Sequence, residues 1–245
     1  MPTAQSVDDT PPIAPMSAKA ALVSALAADG TAENEAMRTV RRRLGEVLLP
    51  YRFGLREMLT KVQILNEEMT ARGEHNPIEH IKHRVKSIDS ILDKMIRTDC
   101  AHTLEGLRDG VRDIAGLRIT CIYTEDCYRM AQLLSSQPDV TVVEEKDYIA
   151  EPKESGYRSL HLIVEVPVFL STGTVHVPVE IQIRTIAMDF WSSVEHELAY
   201  KFSGQLPQHL RDELRQIAQS SRDLDAQMTQ IRADAHRAQN PSDSV

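Results

Sequence analysis

The run Thr174–Thr185 carries the densest chemistry in the chain. With a period of two, Val175, Val177, Val179, Ile181 and Ile183 fall on one side of a strand, and His176, Glu180, Gln182 and Arg184 share the other. Such a face is either the solvated side of a half-exposed strand or, in a central strand, the lining of a cleft. In the second case Glu180 can act as a metal ligand or a general base. Upstream, Ser90, Lys94 and Arg97 stand at i, i+4 and i+7, the polar side of a helix whose opposite side is apolar. Arg84 and Lys86 alternate just ahead of that helix, near an N-terminus whose free N–H groups favour an anion. Residues 82–97 hold Lys82, Arg84, Lys86, Lys94 and Arg97 against Asp89 and Asp93, a balance that suits a polyphosphate or a solvated amphipathic helix. Asp113 precedes another alternating run, where it can face Glu180 and share a Mg²⁺ with phosphate oxygens. Last, the segment Lys146–His161 gathers Lys146, Lys153, Gly156, Tyr157, Arg158 and His161. An aromatic ring beside cations is what a base and its phosphates need, and a surface loop whose tyrosine caps the core is the other reading.

These residues need elements to hold them. Residues 1–33 read as a mobile tail with at most a short helical segment around Ala21–Leu26, and 237–245 as a second tail. Val40, Leu44, Val47 and Leu48 have helical spacing from Asn34 onward; Pro50 interrupts, and Leu55, Met58, Leu59, Val62, Leu65 and Met69 form a second helix ending near Gly73. The segment 78–86 reads as extended, and Ser87 as the cap of a helix with Ile88, Ile91, Leu92 and Met95 on one side. A polar linker follows, then a strand over Leu117–Thr124, a helix over 125–136 and a short strand at Thr141–Glu145. Ser159–Val168 and Thr174–Thr185 read as a hairpin, Met188–Lys201 as a helix, and Leu210, Leu214, Ile217, Leu224, Met228 and Ile231 as a last long helix. The expected fold is α+β: a mixed, mostly antiparallel sheet flanked by helices. Its expected parts are the tail 1–33, N-terminal helices over 34–73, a catalytic domain over 74–204, a helical arm over 205–236 and the tail 237–245.

Composition narrows the class of function. The 245 residues carry 28 Lys+Arg against 36 Asp+Glu, a net charge of −8, which argues against duplex DNA as the main ligand. Three cysteines, Cys100, Cys121 and Cys127, fit neither a disulfide framework nor a zinc spacing. The N-terminus has no basic segment leading into an apolar core, and no run approaches the ~18–20 apolar residues of a membrane span. A cytoplasmic protein with no membrane partner is expected. Aromatics are 4% of the chain, so Tyr157 in a polar loop stands out.

In chain order, Arg84-Val-Lys86, Asp113-Ile-Ala-Gly-Leu-Arg118, Gly156-Tyr-Arg-Ser-Leu-His161 and Glu180-Ile-Gln-Ile-Arg-Thr185, followed by Trp191 and Glu195-His196, resemble the synthetase domain of the RelA/SpoT family over residues 78–204. Within that family the chain resembles a small alarmone synthetase, a stand-alone (p)ppGpp synthetase. The resemblance implies a nucleotidyltransferase-like sheet and transfer of the β,γ-pyrophosphoryl group of ATP to the 3′-hydroxyl of GDP or GTP, with release of AMP. It implies that Arg84 and Arg118 sandwich adenine, and that Lys86, Ser90, Lys94 and Arg97 hold the ATP phosphates. By the same resemblance, Asp113 and Glu180 carry Mg²⁺, Glu180 also takes the proton of the attacking hydroxyl, and Gln182 helps to place the acceptor ribose. Tyr157 would stack on guanine, Lys146, Lys153 and His161 would meet the acceptor phosphates, and terminal helices would build a homotetramer. Where some small synthetases have Asn in the guanine-side motif, this chain has Asp189, a carboxylate able to accept the guanine N1–H and N2–H bonds. The segment Pro77–His83 contains no aromatic residue, which leaves an allosteric alarmone site there open. The family's bifunctional members carry a hydrolase domain built around a His-Asp pair; no such dipeptide occurs here, so synthesis without hydrolysis is expected. The competing reading is a catalytically silent relative that binds nucleotides or single-stranded RNA. A nucleotidyltransferase acting on RNA or an antibiotic would need a Gly-Ser motif leading into neighbouring carboxylates, which is missing. The sequence leaves the choice among GDP, GTP and GMP open.

Overall fold

The computed structural model describes residues 18–27, 33–98, 100–202 and 206–239; the parts of the two expected tails at 1–17 and 240–245 lie outside the described residues. The order of elements is α1 (Ala18–Ala27), α2 (Glu33–Ala71), β1 (Ile78–Val85), α3 (Ile88–Arg97), α4 (Leu104–Gly110), β2 (Ala115–Cys121), α5 (Thr124–Ser135), β3 (Thr141–Asp147), β4 (Leu160–Leu170), β5 (Gly173–Thr185), α6 (Ile186–Lys201) and α7 (Gln208–Gln239). Contacts divide the chain into two compact units, Met1–Glu46 with Ile88–Val111, and Val47–Ser87 with Arg112–Val245.

The first unit is helical. Leu22, Val23 and Leu26 of α1 are buried, α1 packs on α3, and Lys19 Nζ reaches Asp89 and Asp93 at 3.2 and 3.1 Å. The stretch expected as a tail therefore contains a packed helix. Ile91, Leu92 and Met95 are the buried side of α3, so its polar side carries Ser90, Lys94 and Arg97, as their spacing requires. The expected polar linker holds α4, whose first turn is closed by Thr103 Oγ1 accepting from the Gly106 N–H at 3.0 Å. Seven residues, about two turns of helix, are too short to leave an apolar period in the sequence.

Pro50 lies inside one helix of 39 residues, not between two. An interior proline costs a helix about 3 kcal/mol. Val40, Leu44, Leu48, Tyr51, Leu55, Met58, Val62, Leu65 and Met69 nevertheless keep steps of three and four through it, and all are buried. Each contributes about 1.5–3 kcal/mol on burial. Burial wins, and the expected break does not occur.

The second unit is built on a five-stranded sheet in the order β1-β2-β5-β4-β3, in which only β2 and β5 run parallel. This is the mixed, mostly antiparallel sheet expected, with β5 at its centre. Leu117, Ile119, Leu162, Val164, Val177, Val179, Ile181 and Ile183 are buried on one face, against which α5 packs. Gly54 lets α2 approach the same face, since a Cβ there would lie 2.8 Å from Val177 Cβ. The strand expected to reach Thr124 ends at Cys121, because the Asp126 carboxylate accepts the Tyr123 N–H at 3.3 Å and turns the chain into α5. At the other end of the site, Thr185 closes β5 and caps α6, its Oγ1 accepting from the Met188 N–H at 3.2 Å. Strand passes into helix without a loop, which puts Asp189 in the first turn of α6. α7 packs on α6 through Trp191, Leu206, Leu214 and Ala218, and the Trp191 indole N–H donates to the Leu214 carbonyl at 2.8 Å.

Candidate active site

The opposite face of the sheet is polar, and its residues fall into cross-strand rows. Lys82, Arg118, Gln182, His161 and Lys146 are register partners across all five strands, from β1 to β3. With strands about 4.8 Å apart, the row is roughly 19 Å long. The next row reads Arg84, Gly116, Glu180, Ile163 and Glu144. Gly116 thus stands between Arg84 and Glu180 with no side chain. A cleft of about 180 Å³ opens there, lined by Lys82, His83, Arg84, Asp113, Gly116, Leu117, Arg118, Glu180 and Gln182. Complete small-molecule pockets run to about 300–1,000 Å³, so this cleft has room for only part of a ligand of that class.

Glu180 is the end point of a ring of hydrogen bonds. Arg184 Nη2 donates to Gln182 Oε1 at 2.7 Å, which orients the amide so that Nε2 donates to Glu180 Oε2 at 3.0 Å. On the other branch Arg184 Nη2 lies 3.3 Å from the Tyr157 hydroxyl oxygen, and that hydroxyl lies 2.8 Å from His161 Nε2. His161 Nδ1 stands 3.4 Å from Glu180 Oε1. Arg184 can only donate to the Tyr157 oxygen, and a neutral imidazole with its hydrogen on Nδ1 facing the carboxylate accepts the Tyr157 hydroxyl hydrogen at Nε2. Arg184 is 1% exposed, so its rotamer and the ring are fixed by packing. Burial pushes the Glu180 carboxyl up, but the His161 and Gln182 bonds outweigh it and hold the group below the ordinary glutamate value. Glu180 is therefore a carboxylate at neutral pH, aimed into the cleft.

A depressed folded pKa gives an interaction that is complete above the unfolded value and is lost as pH falls through the folded one. Activity that needs ionised Glu180 is expected to fail on the acid side below the ordinary glutamate range. His161→Ala removes the principal lowering contact and leaves burial, so the acid limb should move to higher pH. A pH–rate profile measures this, and an unmoved limb would refute the coupling.

Around this ring, Lys86 Nζ bonds Asp113 Oδ2 at 2.5 Å, just beyond the point where the Lys86 N–H extends the β1–β2 ladder to the Ile114 carbonyl. Asp189 receives Arg118 at 3.2 Å, Lys82 at 3.4 Å and Arg184 Nη1 at 3.6 Å. Lys153 Nζ lies 4.5 Å from the Tyr148 ring centre and 5.0 Å from that of Tyr157. Lys146 pairs with Glu144 at 2.8 Å, which pushes its ammonium up.

The second unit thus brings together Arg84, Lys86, Asp113, Arg118, Lys146, Lys153, Tyr157, His161, Glu180, Gln182 and Asp189 of the residues singled out from the sequence. Ser90, Lys94 and Arg97 belong to the first unit. Sequence reasoning gave no role to Arg184 or Lys82. A period of two already put both on the polar face of their strands, but only the structure shows that Arg184 is buried and tied to Gln182, Tyr157 and Asp189.

A family profile for the region found in RelA / SpoT proteins matches residues 83–205, the segment that carries this ring and cleft. The chain belongs to the RelA/SpoT family. Among RelA/SpoT relatives, it is 44% identical over 196 residues to GTP pyrophosphokinase YwaC of Bacillus subtilis (strain 168), covering 80% of this chain and 93% of that one. It is 42% identical over 193 residues to GTP pyrophosphokinase YjbM of the same organism, 78% of this chain and 90% of that one. Its fold superposes with a TM-score of 0.75 and 40% identity on small alarmone synthetase 1 from Bacillus subtilis bound to its product pppGpp, covering 79% of this chain and 98% of that one.

Proposed function

We propose that this chain is a (p)ppGpp synthetase, moving the β,γ-pyrophosphoryl group of ATP to the 3′-hydroxyl of GDP or GTP and releasing AMP. The observation that carries the reading is the Glu180 carboxylate, held ionised by His161 and Gln182 in a cleft it shares with Asp113. In this reaction the 3′-oxygen attacks the β-phosphorus of ATP, its proton passes to Glu180, and the bond from that phosphorus to the α–β bridging oxygen breaks. AMP leaves with the electron pair. Arg84 and Arg118 stack on adenine, a use that suits planar guanidinium groups. Lys86, Ser90, Lys94 and Arg97 neutralise the ATP phosphates. Tyr157 stacks on guanine, Asp189 accepts its N–H groups, and Lys146, Lys153 and His161 meet the acceptor phosphates. Gln182, fixed by Arg184, places the ribose beside Glu180. Catalysis of this kind is mostly positioning and charge neutralisation.

Asp113 and Glu180 fit Mg²⁺: two carboxylates line one cleft, and phosphate oxygens would complete a hard-oxygen shell. When bound there, the ion would neutralise charge on the transferring phosphates. Ile217, Leu224, Met228 and Ile231 are exposed along α7, which supports assembly of a homotetramer through terminal helices. Light scattering that shows a monomer at micromolar concentration would remove that part. Among the described residues no helix is long and apolar enough to cross a membrane, and the nucleotide substrates point to the cytoplasm.

The test is to incubate the protein with Mg²⁺, ATP and GDP or GTP and separate the products. AMP and a 3′-pyrophosphorylated guanosine nucleotide are expected in equal amounts, and their absence would sink the reading. Tyr157→Ala should raise the acceptor KM roughly 5- to 150-fold, since base–aromatic stacking is worth about 1–3 kcal/mol. Tyr157→Phe, which keeps the ring, should raise it much less. An effect confined to ATP would contradict the placement of the guanine.

A further inference from the structure

The loop that carries Tyr157 is moulded on α7. Arg215 Nε donates to the Glu154 carbonyl at 3.2 Å. Gly156, at a φ of +93°, lies so close to α7 that a Cβ on it would stand 2.6 Å from Ala218 Cβ. Tyr157 packs against the cluster formed by Trp191, Leu206, Leu214 and Ala218. About two turns further along α7, the buried Asp225 Oδ2 accepts from Thr185 Oγ1 at 3.0 Å and from Arg158 Nη1 at 3.4 Å. Arg158 and Thr185 each directly follow a member of the ring around Glu180: Tyr157 on one strand approach, Arg184 on the other. Ser159, next in line, donates its hydroxyl to the Ile183 carbonyl at 3.1 Å and closes the gap between them.

We infer that Asp225 is a positioning residue of the acceptor half of the site, fixing the distance between Tyr157 and Arg184 from α7. Two features set it apart from an ordinary surface acid on a long helix. Its side chain is 7% exposed, and its two partners, 67 and 40 residues away, sit side by side at the open end of the β4–β5 hairpin, where the ring lies. Through the residue after Tyr157 and the residue after Arg184, one carboxylate spans the two chain segments that supply the ring. Loss of its charge leaves the buried Arg158 guanidinium unmatched, so the loop shifts and the tyrosine ring moves relative to Arg184. Arg84 and Arg118, the residues assigned to adenine, lie on β1 and β2, and the partners of Asp225 are on neither strand.

This inference rests on the assignment of Tyr157 to the acceptor base. The experiment measures KM for GDP and for ATP separately in the full chain. Asp225→Asn should raise KM for GDP on the order of tenfold, as expected for a charged hydrogen bond, and leave KM for ATP within about twofold. The neutral pair Asp225→Asn with Arg158→Gln should recover much of the loss. Val168→Ala, at the far end of the hairpin, destabilises the sheet and should change neither KM. Equal changes in both KM values, or a loss of kcat alone, would overturn the inference. If Asp225→Asn does not melt cooperatively, exposed Arg215→Gln decides, because it releases the same loop: an unchanged KM for GDP then overturns it. Tyr157→Ala separates the two levels. If it leaves KM for GDP unchanged, the acceptor assignment itself fails; if it raises KM while Asp225→Asn does not, only the role of α7 fails.

Discussion

Glu180→Gln is expected to lower kcat by about 10²- to 10⁴-fold, the usual contribution of a positioned general base, while ATP binding stays nearly unchanged. The amide has the shape of the carboxylate and can still accept the Gln182 N–H, so the fold and the cleft survive. It cannot take the proton of the attacking hydroxyl, and it offers a metal one oxygen in place of two. Charge is also lost beside Asp113, whose negative charge opposes that of Glu180. That relief offsets part of the stability lost with the His161 contact, and a cooperative melting transition checks that the variant is folded. Calorimetry with a non-hydrolysable ATP analogue, beside steady-state rates, separates the two effects. Turnover within tenfold of the wild type would reject Glu180 as the base.

Gly116→Val should abolish most turnover without unfolding the protein. Gly116 is the second residue of β2, inside its paired ladder, where a glycine is normally a cost, since it orders more backbone freedom than any other residue. Apart from its chain neighbours, the nearest atom to a Cβ built there is the Arg84 carbonyl oxygen at 3.9 Å, an ordinary contact. Valine, a good strand former, should therefore fit and raise the melting temperature slightly. Its methyl groups would project between Arg84 and Glu180, into the space assigned to the transferring phosphates. Displacement of a reacting group by about 1 Å costs on the order of 100-fold in rate. A variant that is stable, binds guanosine nucleotides and reacts at least 100-fold more slowly is the expected result. Full activity would show that the substrates do not pass over Gly116.

Much of this site could be read from spacing. Alternation along Thr174–Thr185 placed Glu180, Gln182 and Arg184 on one face because a strand has no other way to dispose its side chains. The helical phase of Ile91, Leu92 and Met95 in the same way put Ser90, Lys94 and Arg97 on the opposite side of α3. What spacing does not contain is register. Nothing local tells that Lys82, Arg118, Gln182, His161 and Lys146 form one row, because that depends on how five strands pair across the whole stretch from Lys82 to Gln182. The same limit hid Asp225, which in sequence is one acid among several on an amphipathic helix and gains its partners only through tertiary contact. Pro50 failed as a stop signal for a related reason: its local cost is set against an apolar stripe that stays in phase on either side. Asp189 sits between the two cases. The motif located it, but its pairing with Arg118 and Lys82 places a residue assigned to the acceptor base in contact with one assigned to adenine.

Transfer of an intact pyrophosphoryl group is the central claim, and positional labelling of ATP tests it most directly. With phosphorus label placed in turn at the α, β and γ positions, β and γ label should both enter the guanosine nucleotide in equal amounts, and α label should stay in AMP. Appearance of γ label alone in the acceptor would mean a simple phosphoryl transfer, and appearance of α label a nucleotidyl transfer. Either result would contradict the account.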